Sequence, residues 1–216
     1  MTINVDLYYT MRSPYCYLST PQLVKLTEEF DLHFHLKPVY PLAVSDSTFF
    51  ERVNPQWPPY LRVDTARIAK RLDIPFLWPR PDPIVQDRET HRVATEQPYI
   101  RGLTQFAQIA AEQALGLEYV AAVSGLLFNP AIDSWRNGTH LADALSSIGL
   151  DIEKLDQEIN TDGARLETPI QQNRADQLAS GHWGAPLFVF EGEIFFGQDR
   201  IEDLVWHLGQ HGLNRR

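Results

Sequence analysis

With 216 residues, 44% of them apolar and 22% charged, the chain has the make-up of a folded globular protein and not of a disordered, collagenous or disulfide-dense one. Acidic residues outnumber basic ones 28 to 19, and the resulting net charge of -9 repels a phosphate backbone, so nucleic acid is not an expected partner. Cys16 is the single cysteine, which excludes an intrachain disulfide and a thiolate-rich zinc site.

Apolar residues alternate with Asn4, Asp6 and Tyr8 across residues 3–9, the period-two pattern of a strand. Ser13-Pro14 then supplies an N-cap and a first-position proline. Leu18, Leu23, Leu26 and Phe30 carry a helix to about residue 30, with a kink expected at Pro21. Residues 32–38 alternate again and read as a second strand. The spacing predicts helices over 60–72, 98–115, 117–128, 139–148, 152–160 and 165–180, with Asp151 as a cap, while the Pro-rich stretches 38–59 and 75–83 read as ordered loops. Residues 186–190 and 194–196 are short strands joined by a two-residue turn at Glu191-Gly192. Asp199 with Glu202 three residues on predicts a capping box and a helix to about His211.

A strand–helix–strand unit and a strand–strand–helix unit separated by helices match an α/β thioredoxin fold with an inserted all-helical domain. The expected division is 1–40 and 181–216 for the thioredoxin-like part and 41–180 for the insertion. The N-terminal residues lack a basic leader, and the longest fairly apolar stretch, 117–128, contains Glu118 and is too short to span a bilayer. No membrane association is expected, and the cytoplasm is the expected location.

In a thioredoxin fold the reactive position is the N-terminus of the first helix, here Ser13-Pro14-Tyr15-Cys16. Dithiol exchange needs two sulfurs, and the first position carries an oxygen, so a thioredoxin-type cycle within one chain is excluded. A serine hydroxyl at a helix N-terminus stabilises a thiolate brought by another molecule, and glutathione is the obvious external thiol. The plainer reading is that Ser13-Pro14 only starts a helix. Cys16 reads as a passive buried thiol, with a monothiol role as the alternative. His207 and His211, four apart on the last helix, read as partners of its C-terminal dipole and not as metal ligands, and no metal is expected.

Ser13-Pro14-Tyr15-Cys16-Tyr17-Leu18 resembles the Ser-Pro-Tyr/Phe-Ser-aromatic-Leu segment of kappa-class glutathione transferases and 2-hydroxychromene-2-carboxylate isomerases, within the DsbA-like thioredoxin superfamily. Gly184-Ala185-Pro186 and Phe195-Phe196-Gly197-Gln198-Asp199-Arg200 resemble the same families' Gly-Val/Leu-Pro and Phe/Trp-Gly-X-Asp-Arg segments. Tyr60 with Asp64, then Ile74-Pro75 and Pro79, is similar to the helix and loop those families place over the active site.

The resemblance implies a glutathione-dependent isomerase acting on an aromatic unsaturated keto-acid, with a kappa-type transferase or a DsbA-like monothiol oxidoreductase using Cys16 as alternatives. It implies that Ser13 is bonded to the glutathione sulfur, that the Ala185 backbone pairs with the tripeptide before a cis Pro186, and that Gln198 and Asp199 receive the γ-glutamyl end. Asn54 falls where those families have a glutathione-contacting asparagine. Trp57 stands where they often carry a lysine. Tyr15, Cys16, Trp57, Tyr60, Trp78 and Trp183, with Phe49 and Phe50, are candidates for an apolar substrate pocket. A homodimer is the implied assembly.

Overall fold

The computed structural model describes residues 2–46, 48–87 and 92–216, with the side chains of Phe50 and Glu51 outside that set. Strand β1 (Ile3–Tyr9), helix α1 (Pro14–Glu29) and strand β2 (Leu32–Pro38) form the opening unit. β1 and β2 pair in parallel from Ile3 against Leu32 to Tyr9 against Pro38. Strand β3 (Leu187–Phe190) pairs antiparallel to β1, and strand β4 (Glu193–Phe196) antiparallel to β3, giving the sheet order β2-β1-β3-β4. The turn between the last two strands has φ of 49° at Glu191 and 87° at Gly192. Positive φ at both central residues is what a type I′ hairpin requires, and glycine supplies it without a steric penalty.

The alternation in β1 sends Val5, Leu7 and Tyr9 to one face and Tyr8 to the other. The first face joins Leu18 and Leu23 of α1 and Phe34 of β2. The same cluster continues into Ile100 and Ile109 of helix α5 (Pro98–Glu112) and Tyr119 and Val123 of helix α6 (Gly116–Leu127). Tyr8, Val39 and Leu187 make a smaller cluster on the opposite face. Each fully buried aliphatic contributes about 1.5–3 kcal/mol, so the sheet and the helices inserted between β2 and β3 hold each other through one continuous core.

Several elements depart from the sequence expectation. The 38–59 stretch contains two single-turn helices, α2 (Leu42–Ser45) and α3 (Phe49–Arg52), where only loop was expected. Such turns are too short to show a hydrophobic period. Helix α4 (Trp57–Leu72) begins three residues before Tyr60, because Pro58 and Pro59 lie in its first turn, where the missing N–H groups have no intrahelical partner to lose. After α7 (His140–Ser146), the two helices expected at 152–160 and 165–180 join as α8 (Ile152–Ala179), which is interrupted only at Asp162 (φ -142°, ψ 30°). Arg165 spans that break by pairing with Glu112, Glu158 and Asp162. Asp151 caps α8 as expected, accepting from Glu153 N at 2.9 Å.

The capping box at Asp199 is not formed. Residues Gln198–Arg200 make a 3-10 turn, helix α9 (Ile201–Gln210) starts after Arg200, and the Asp199 carboxylate accepts from Arg200 at 3.1 Å. The extra turn displaces the helix start beyond the reach of Asp199. Helix α1 runs unbroken through Pro21. Among the described residues no helix is long and apolar enough to cross a membrane.

Candidate functional site

β1 ends one residue before Thr10, whose carbonyl accepts from the Ser13 N–H at 3.2 Å and turns the chain into α1. Ser13 is the N-cap, in extended conformation, and its Oγ accepts from Cys16 N at 3.3 Å. The same hydroxyl donates to the Ala185 carbonyl at 3.4 Å, a long bond that is easily exchanged for a better acceptor. The Ala185-Pro186 peptide is cis, as expected. Gly197 N donates to Pro186 O at 3.0 Å, which brings the Gln198–Arg200 turn beside this point. Gly197 has φ of 100°, and a Cβ there would stand 2.8 Å from Asp199 Oδ1, so glycine permits both the backbone and the close approach of that carboxylate. Ser13, Ala185, Pro186, Gln198 and Asp199 therefore converge from three distant stretches of chain. Gln198 is buried, and its amide makes no hydrogen bond among the described residues.

Tyr15, two residues after Ser13, is half-buried and donates to Asp64 Oδ2 at 2.8 Å. Asp64 also accepts from the Tyr60 hydroxyl and from Arg67, each at 3.3 Å, so α4 is tied to the first turn of α1. Burial, followed by the Asp64 bond and charge and the fields of Tyr60 and Asp199, holds the Tyr15 hydroxyl well above its usual range. It remains protonated and acts as a donor.

Cys16 lies inside the core with no exposed surface. Burial pushes its thiol up to about 12, against smaller downward pulls from the Thr10 backbone and the Ser13 hydroxyl. The position one turn into α1 faces the sheet, so Cys16 lines no open pocket and carries no thiolate at neutral pH.

The pocket candidates fall into two groups. Trp57 meets Phe49 edge-on at 6.2 Å between ring centroids, Phe49 lies 5.7 Å from Trp183, and His182 stacks against both Trp183 and Phe196, which are 6.4 Å from each other. Trp57, Trp183, Phe196 and Tyr60 are exposed, forming an apolar rim. Trp78 lies apart, under the Arg12 guanidinium at 4.7 Å, with Arg12 itself paired to Asp82 at 2.8 Å. The side chain of Phe50 lies outside the described set. Asn54 is exposed and uses its Oδ1 to accept from Gln56 N at 2.9 Å; no hydrogen bond joins its side chain to Ser13, Ala185 or Asp199 among the described residues.

The structure also brings in residues that the sequence reading did not single out. Arg174 of α8 donates from Nη1 to Trp183 O at 2.8 Å and to Gln177 Oε1 at 2.7 Å, and Gln177 donates to Gly184 O at 2.7 Å. Their spacing of three on one helix face marks them as neighbours, but nothing local ties them to residues 183–184.

The DSBA-like thioredoxin domain family matches residues 4–209. The 2-hydroxychromene-2-carboxylate isomerase of Sphingobium xenophagum is 23% identical over 212 residues, spanning 96% of this chain and 99% of that protein. A solved 2-hydroxychromene-2-carboxylate isomerase has a TM-score of 0.70 at 18% identity, covering 96% of this chain and 95% of that one. The cytosolic disulfide reductase DsbM from Pseudomonas aeruginosa, solved with GSH, has a TM-score of 0.59 at 18% identity, covering 97% of this chain and 98% of that one. Similarity at these identities reflects a shared fold. With a family match spanning nearly the whole chain, the protein belongs to the DSBA-like thioredoxin domain family.

Proposed function

We propose that the protein is a glutathione-dependent isomerase acting on an aromatic unsaturated keto-acid; the name of the Sphingobium relative, 2-hydroxychromene-2-carboxylate isomerase, supports the isomerase part of this reading. One observation carries the reading: a serine hydroxyl caps the first helix beside Ala185, while the chain's own thiol is buried and held protonated. A site built to stabilise a thiolate that has none of its own must receive one from outside.

When bound, glutathione supplies a thiolate that adds reversibly to the conjugated double bond, which becomes single, rotates and re-forms as the thiolate leaves. Ser13 Oγ exchanges its long bond to Ala185 O for a charge-assisted bond to the sulfur, and the N-terminal dipole of α1 adds to that stabilisation. The Ala185 backbone offers a short strand edge to the tripeptide. Gln198 holds an amide without a protein partner toward the γ-glutamyl end, and Asp199 accepts its ammonium. The rim of Trp57, Trp183 and Phe196 receives the aromatic ring, and the bond from Tyr15 to Asp64 holds the first turn of α1 against α4.

The test is product analysis with a catalytic amount of glutathione and an unsaturated aromatic keto-acid. The isomerase reading expects interconverted isomers and recovered free glutathione. A stoichiometric conjugate identifies a kappa-type transferase, and turnover of a glutathionylated peptide that depends on Cys16 identifies an oxidoreductase; either result refutes the isomerase.

A further inference from the structure

The carboxylate and guanidinium groups around this end of the sheet are largely paired off. Arg12 meets Asp82, Arg67 meets Asp64, Arg52 meets Asp46, and Arg200 meets Asp199 and Asp203. Arg174 differs from them. It is partly buried, Asp46 reaches it only as a distant field, and no carboxylate lies within ion-pair distance of it among the described residues. Both of its hydrogen bonds leave from Nη1. A guanidinium carries five N–H donors, so the Nη2 and Nε edge, the edge that grips a carboxylate with two parallel bonds, is unused. A partly buried cation without a counter-charge is unfavourable, and an arriving anion removes that cost.

The position of this edge relative to Ala185 is set by two bonds. Arg174 holds the Trp183 carbonyl, and Gln177, fully buried, holds the Gly184 carbonyl. The Gln198–Arg200 turn lies on the other side of Ala185, beside Pro186. A tripeptide with its γ-glutamyl end at that turn and its cysteine on Ala185 runs opposite to the chain. Its third residue then faces Gly184 and Trp183, about 3.4 Å further along.

On the reading that glutathione is the thiol, we propose that Arg174, on the helix that leads into Ala185, binds the glycyl carboxylate of glutathione through its Nη2 and Nε edge. The test is calorimetry on the whole protein with glutathione and with glutathione amidated at its glycine, for the wild type, Arg174→Gln and Arg174→Lys. The wild type is expected to bind glutathione about ten- to a hundredfold more tightly than the amide, Arg174→Gln to bind both alike at the amide's level, and Arg174→Lys to keep part of the preference. Equal wild-type affinity for the two ligands overturns this assignment and leaves the glutathione reading standing. A similar loss for both ligands in Arg174→Gln assigns the residue a purely structural hold on residues 183–184 and also overturns it. An unchanged glutathione affinity beside a raised KM for the keto-acid moves the carboxylate to the substrate and overturns it as well. Binding of neither ligand by the wild type overturns both the assignment and the glutathione reading.

Discussion

Cys16 separates the proposed chemistry from thiol–disulfide exchange, and its environment predicts how it reacts. Burial raises its thiol from an ordinary 9.0 to about 12. A shift of three units lowers the thiolate equilibrium constant about a thousandfold, before the exclusion of reagent from a side chain with no exposed surface is counted. Alkylation with iodoacetamide at pH 8, followed by intact-mass measurement, is therefore expected to proceed at least a thousandfold more slowly than for a free thiol in the folded protein. In denaturant it should proceed at the ordinary rate. Cys16→Ala removes one buried sulfur and is expected to lower stability by about 1–2 kcal/mol while leaving isomerase turnover within a few-fold. Native alkylation at the rate of a free cysteine, or a Cys16→Ala protein that is folded and inactive, would refute the reasoning.

Ser13→Ala removes the cap bond to Cys16 N, costing about 1 kcal/mol in thermal unfolding, and also the donor to the bound sulfur, raising the glutathione thiol pKa by about one to two units; Ser13→Asp, an acceptor-only cap, should recover the Tm but not the pKa. Gly197→Ala places a Cβ 2.8 Å from Asp199 Oδ1 at a φ of 100°, and is expected to destabilise by roughly 1–3 kcal/mol in urea unfolding and to weaken glutathione binding by calorimetry. Tyr15→Phe deletes the 2.8 Å bond to Asp64, which keeps Tyr60 and Arg67, so a loss of about 1 kcal/mol is expected from the urea midpoint. Burial lowers the His182 pKa below 6.5, so the unfolded chain takes up that proton first. The stability this group contributes is complete above about pH 6.5 and declines as pH falls below it, a slope that His182→Gln should flatten between pH 7.5 and 5.5.

The sheet and its two flanking units were legible because β1 and β2 alternate, Ser13-Pro14 marks a helix start, and Glu191-Gly192 names its own turn. These are local signals, and local physics decides them. Ser13, Ala185, Pro186, Gln198 and Asp199 could be grouped through motif likeness, although 172 positions separate Ser13 from Ala185. What the sequence did not disclose depends on packing. The break at Asp162 is bridged by Arg165 reaching Glu112 on another helix, and α2 and α3 are shorter than one hydrophobic period. Asp199 and Glu202 have capping-box spacing, but a 3-10 turn intervenes. Arg174 and Gln177 hold residues 183–184 only because α8 returns past the approach to β3.

The most direct test of the central claim is a pH titration of the protein saturated with glutathione, following the ultraviolet absorbance of the thiolate. If Ser13 and the N-terminus of α1 stabilise an external thiolate, the bound thiol should ionise about one to two units below free glutathione, and Ser13→Ala should abolish most of that difference. A bound thiol that titrates like free glutathione, or a folded protein that binds none at millimolar concentration, would contradict the account.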